Sequence, residues 1–154
     1  MKKRNRSGSP EAVEQVNEAI HVLLLKLKLT RLGHWSDKLE NIHFLDLHML
    51  SHAEHHPDDT IGEMRQVLQV PQSTLTSMID RLEERGLIRR AVNPRDKRSY
   101  RIELTAAGQE VQREHHRVER MIAARMLEAL PDDKARQQFV RLLTAMTQGL
   151  QSDQ

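Results

Sequence analysis

For most of this chain, hydrophobic and polar positions follow helical rather than alternating order. After Pro10, a residue suited to the first turn of a helix, Val13, Val16, Ile20, Leu23, Leu24 and Leu27 recur every three or four residues. Leu25 and Leu29 lie off that stripe, so this helix is apolar on more than one face and needs more than one neighbour. Gly33 interrupts the pattern. Ser36 is placed to cap a second helix reaching about Glu54, with Leu39, Ile42, Leu45 and Met49 inward and Leu47 and Leu50 widening the apolar side. His55-His56-Pro57-Asp58-Asp59 then reads as a connector.

From Thr60 the pattern tightens. Thr60 and Glu63 form a T-x-x-E capping box, and Ile61, Met64, Val67 and Leu68 give one apolar stripe that stops at Gln69. Pro71 cannot continue that helix but can open another. Thr74 to Glu84 is a good helical run, with Leu75, Met78, Ile79 and Leu82 on its buried face and Gly86 as a left-handed stop. Leu87-Ile88 and Ser99 to Leu104 read as two strands around an Asn93-Pro94 turn. Thr105 can cap a long helix to about Ala129, with Val111, His115, Val118, Ile122 and Met126 inward. Pro131 starts a last helix with Phe139, Leu142, Leu143, Met146 and Leu150 in its stripe.

Two short helices joined by a turn, followed by a hairpin, predict a winged helix-turn-helix. The fold class is therefore mostly α with a small β-hairpin, flanked by N- and C-terminal dimerisation helices. The expected divisions are a basic disordered tail (1–9), a dimerisation helix (10–35), the winged helix-turn-helix (36–104) and C-terminal dimerisation helices (105–154). Apolar stripes at both ends of one chain cannot fully cover each other, so a symmetric second copy is expected to bury them.

The chain has 154 residues, a net charge of only +2, no cysteine and 3% aromatic residues. The bulk charge says little about partners; its distribution says more. Arg89, Arg90, Arg95, Lys97, Arg98 and Arg101 surround the hairpin, against Asp96 and Glu103. Such a tip suits phosphates and an A·T-rich minor groove. The face of the second short helix opposite its core carries Gln72, Ser73, Thr74, Thr76, Ser77 and Arg81, hydrogen-bonding side chains suited to base edges. The bland alternatives are a solvated helix face and a hairpin charged for solubility. Absence of cysteine excludes disulfides, thiolate-bound zinc and thiol redox sensing. No apolar run has membrane-spanning length and no signal-peptide pattern is present, so a cytoplasmic location is expected.

Here a resemblance becomes specific. Asp96-x-Arg98-Ser99 followed by Leu104-Thr105-x-x-Gly108 resembles the D-x-R-[AS]…L-T-x-x-G signature of the multiple-antibiotic-resistance regulator (MarR) family. Arg81-Leu82-Glu83-Glu84-Arg85-Gly86-Leu87-Ile88 is similar to that family's run at the end of the recognition helix. The resemblance implies a homodimeric transcription regulator, expected to be a repressor, released from a palindromic operator in double-stranded DNA by a small aromatic or phenolic ligand. It implies wing contacts by Arg95, Asp96, Lys97 and Arg98, with Arg98 entering the minor groove and Asp96 steering it. Many members carry Arg or Lys where Ser77 stands, so a strong guanine contact is missing. The effector pocket is expected around His34, Trp35, His43 and Leu47.

Nine histidines leave an alternative open. His48, His52 and either His55 or His56 recur at helical spacing and can share one face, and Glu114, His115 and Glu119 share another helix. Histidines four apart with a nearby carboxylate can bind zinc, and some members of the family sense it with acids and histidines near these places. No cofactor is expected; a zinc-responsive regulator is the alternative, and a metalloenzyme a further one. No nucleophile–base pair, phosphate loop or H-E-x-x-H run supports catalysis.

Overall fold

The computed structural model describes residues 8–28 and 32–151; the basic stretch from Lys2 to Arg6, expected to be a disordered tail, lies outside them, as does Leu29. Two compact units, Met1–His116 and Arg117–Gln154, divide the chain at a point inside one long helix.

The first unit opens with α1 (Pro10–Lys26), capped by Ser9, whose hydroxyl accepts the Ala12 N–H at 3.2 Å. No residue of α1 is buried: Val16 is 57% and Ile20 52% exposed. Ser36 caps only a 3₁₀ turn at Asp37–Leu39, not the long second helix expected from the pattern. Asn41 then adopts a left-handed conformation (φ 58°), so the helical path breaks and α2 (Phe44–His55) begins eight residues after Ser36. The apolar pattern continued across the break because Leu39 and Ile42 face the core from a turn rather than from a helix.

α3 (Ile61–Leu68) starts at the expected capping box: Thr60 Oγ1 accepts the Glu63 N–H at 3.1 Å and Glu63 Oε2 accepts the Thr60 N–H at 2.7 Å. Gln69 ends it at φ 51°. α4 (Gln72–Glu84) follows, with Leu75, Met78, Ile79 and Leu82 all buried as the spacing predicts. They join Leu47, Met49 and Leu50 of α2 and Met64 of α3 in the core. Gly86 ends α4 at φ 69°.

β1 (Ile88–Val92) pairs antiparallel with β2 (Tyr100–Leu104), Ile88 opposite Leu104 and Val92 opposite Tyr100. β1 is longer than its two apolar residues suggest, because Arg89 and Arg90 are strand residues with outward side chains rather than loop. Thr105 caps α5 (Ala106–Glu128) by accepting the Gly108 N–H at 3.1 Å.

The second unit holds the end of α5 and α6 (Asp133–Gln151), which Asp132 caps through the Ala135 N–H at 2.8 Å. On α6, Leu142, Met146 and Leu150 are 62%, 56% and 65% exposed. Among the described residues no helix is long and apolar enough to cross a membrane.

Candidate nucleic-acid interface

The exposed face of α4 carries Gln72, Ser73, Thr74, Thr76 and Ser77, all solvent-facing while their neighbours Leu75, Met78 and Ile79 are buried. Thr76 donates its hydroxyl to the Gln72 carbonyl (2.9 Å) and Ser77 to the Ser73 carbonyl (3.0 Å). Each hydroxyl keeps lone pairs for an incoming donor. Arg81, expected on the same face, is held elsewhere. Its Nη2 donates to Asp46 Oδ1 at 2.5 Å and its Nε to Asp46 Oδ2 at 3.2 Å, and Asp46 is wholly buried.

The six cations counted around the hairpin are not equally available. Arg90 pairs with Asp80 and Glu83 of α4. Arg89 pairs with Glu103 at 2.6 Å, and Arg101 with Asp58 and Glu103. Arg95 donates to the Asp58 carbonyl (2.5 Å), to Glu63 (2.7 Å) and to Asp59 at 3.4 Å. It straps the wing to the start of α3. Lys97 has no ion-pair partner among the described residues, and Arg98 is 94% exposed with Asp96 Oδ1 3.5 Å from its Nε. Two adjacent cations at the tip therefore carry the outward charge.

Asn93, which the sequence marks only as a turn residue, is fully buried and organises that tip. Its Oδ1 accepts the Arg95 N–H (2.8 Å) and the Asp96 N–H (3.3 Å), while its amide donates to the Asp58 carbonyl at 2.8 Å. Asp96 Oδ1 in turn accepts the Arg98 N–H at 3.0 Å. The Asn-Pro pair is a turn signal in the sequence; the burial of Asn93 is decided by Asp58, thirty-five residues away.

Glu63 has its carboxyl held below the usual range by the Thr60 backbone N–H, then by the Thr60 hydroxyl, with Arg95 adding to the effect. One side chain thus caps α3 and holds the wing strap.

The residues expected at the effector pocket are partly brought together. His34 and His43 line one cleft of about 550 Å³ with Leu32, Gly33, Glu40 and Asn41. Trp35 stands edge-on to His34 at 5.8 Å and donates its indole N–H to the Leu27 carbonyl at 3.0 Å. Leu47 is wholly buried in the core. Of the metal candidates, His48, His52 and His56 border a cleft of about 340 Å³, His52 stacked on His56 and 3.0 Å from Asp59. Among the described residues these three form no group of mutually close ligand atoms. Glu114, His115 and Glu119 lie on α5, with only His115 buried.

A two-stranded wing behind two helices joined by a tight turn defines the chain as a winged helix-turn-helix protein of mostly helical build. Residues 40–99 match the model of the MarR family. No curated protein matches the sequence. FabT of Streptococcus pneumoniae, solved in complex with DNA, has a similar structure, with a TM-score of 0.77 at 20% identity over 92% of this chain and 99% of that one. A MarR family protein from Bacillus stearothermophilus gives 0.71 at 24% identity, covering 94% and 99% of the two chains. The transcriptional regulator BldR from Sulfolobus solfataricus gives 0.64 at 24%, covering 99% of each. At these identities the likeness is one of fold.

Proposed function

We propose that this chain is a homodimeric, sequence-specific DNA-binding transcriptional repressor. The observation that carries the proposal is the pairing of an exposed polar face, Gln72 to Ser77, with an outward Lys97-Arg98 wing tip on one rigid scaffold. The helix face suits the base edges of a major groove, and the tip suits phosphates and the adjacent minor groove. The DNA-bound relative lends the same reading by fold. A two-fold pair would set the reading helices one helical turn apart, about 34–36 Å, on a near-palindromic operator. The exposed apolar residues of α1 and, separately, of α6 supply surface for the second copy. On this reading the chain works in the cytoplasm, beside the DNA it binds.

The cleft lined by His34 and His43 is the place for a small aromatic or phenolic effector. Its occupant would lower DNA affinity only through a differential affinity for two arrangements of the protein. Trp35, the one tryptophan, sits beside His34 and reports occupancy. Unchanged Trp35 fluorescence and unchanged DNA affinity on adding a series of phenolic acids would remove those ligands from consideration. Wild-type protein freed of any affinity tag, analysed for bound zinc, separates this reading from the metal-responsive one.

Two substitutions test the DNA contacts. Arg98→Ala is expected to weaken binding to a selected duplex by about 1–3 kcal/mol, the range of a good groove contact. Lys97→Ala is expected to weaken binding to all duplexes and flatten the salt dependence by about one unit of slope. Wild-type affinity in Arg98→Ala would contradict the wing assignment.

A further inference from the structure

Arg81, in the last turn of α4, and Arg85, which caps its C-terminal end, stand four residues apart, and both reach the same short segment before and at the start of α2. Arg81 forks onto the buried Asp46 carboxylate. Arg85 donates through Nη1 to the Asn41 carbonyl at 2.7 Å and through Nη2 to the Glu40 carbonyl at 3.3 Å. Asp46 also accepts the His43 N–H at 3.3 Å, so its carboxylate has three donors and no exposure. We infer that Arg81 and Arg85 form a clamp that positions the reading helix, with Asp46 as its anchor, and that neither arginine contacts DNA. The inference rests on the DNA-binding reading above.

Leu75, Met78, Ile79 and Leu82 hold α4 against the core through apolar contact, which resists separation but is non-directional. Fork-shaped, charge-assisted hydrogen bonds fix angle and distance together. Two of them, at adjacent turns, set both the rotation of α4 about its axis and its position along that axis. The stripe Ser73, Ser77, Arg81 runs along one side of the helix at four-residue spacing, so a rotation that released Arg81 would swing both serines. Moving Arg81 to a phosphate would leave Asp46 buried and unpaired, a costly exchange. A cation already neutralised in this way adds nothing to counterion release.

The test uses the full-length protein and two duplexes of about 30 base pairs, enough for both half-sites. One is enriched from a random library by the wild-type protein; the other is a scrambled duplex of equal composition. Asp46→Asn, Arg81→Gln, their double variant and Arg85→Ala are titrated over a range of salt. The clamp predicts that Asp46→Asn and Arg81→Gln each lose at least about tenfold on the selected duplex, the size of one good base contact. It predicts less than about twofold loss on the scrambled duplex, an unchanged salt slope, and a double variant no worse than the worse single variant. Arg85→Ala, on an exposed side chain, is expected to show a smaller loss on the selected duplex only. Should Arg81→Gln unfold, Asp46→Asn and Arg85→Ala still decide, because Asp46→Asn leaves an Arg81 that is 37% exposed and solvated.

The inference is overturned if Arg81→Gln weakens both duplexes equally and flattens the salt slope by about one unit while Asp46→Asn binds as well as wild type, since Arg81 would then touch phosphate. It is also overturned if every variant matches wild type on both duplexes. In those cases the DNA-binding reading survives. A wild-type protein that enriches no duplex removes both.

Discussion

Gly108 shows how one residue carries a structural demand that its neighbours do not. A Cβ added there would come within 2.0 Å of the Leu87 carbonyl oxygen, where the start of α5 meets the end of α4's turn. That carbonyl also accepts the Thr105 N–H at 3.0 Å, so it cannot move away cheaply. Gly108→Ala is therefore expected to destabilise the fold by about 2–3 kcal/mol, as overpacking against a fixed group does; a thermal melt unchanged within a degree or so would contradict the contact. The Leu-Thr-x-x-Gly run was visible in the sequence, and the reason for its glycine was not, because the clash is with a residue twenty-one positions earlier. Arginine charge shows the same limit. Six cations around the hairpin are plain in the sequence, but which of them are neutralised depends on Asp58, Glu63, Asp80 and Glu83, brought there by folding.

Among elements, the wing and α3 are one mechanical piece, joined by Arg95 on Glu63 and by Asn93 on Asp58. Glu63 gives this joint a pH dependence whose sign follows from its carboxyl lying below the ordinary value of about 4.5 in the folded chain. A depressed carboxyl contributes stability that is present above the unfolded-state value and is lost as pH falls through the folded-state value. Wild type and Glu63→Gln should therefore differ in melting temperature near neutral pH and converge as pH drops below about 4.5 toward acid. A difference that stayed constant down to about pH 3 would show that the charge of Glu63 contributes nothing. The capping box itself was legible, since Thr60 and Glu63 are three apart. The break at Asn41 was not: the apolar spacing of Leu39, Ile42 and Leu45 fits a helix, and only the left-handed backbone at Asn41 shows otherwise.

At the scale of the whole molecule, the exposed apolar residues of α1 are the feature a single copy leaves unexplained. Val13, Val16 and Ile20 are each more than half exposed along one stripe. Exposure of that extent along a whole helix marks an interaction surface, and in the proposed homodimer a second copy would cover it. Ile20→Glu is expected to convert a dimer into monomers in sedimentation experiments. The wild-type unfolding midpoint is expected to rise with protein concentration, as mass action requires. A monomeric wild type would remove the two-fold operator geometry with it.

Local pattern settled the local features here. Helical spacing, caps at Thr60 and Thr105, the stop at Gly86 and the core of α4 are set by residues within a turn or two of one another, where backbone geometry and short side-chain reach govern the outcome. The tertiary structure decided which polar groups are spent and which remain free: Asp46 holding Arg81, Asn93 and Glu63 holding the wing, Lys97 and Arg98 left outward. Charge and hydrogen-bonding capacity are properties of a residue, but for Arg81, Asn93 and Glu63 their satisfaction depends on partners 30 or more positions away in the chain, and folding alone brings those into reach.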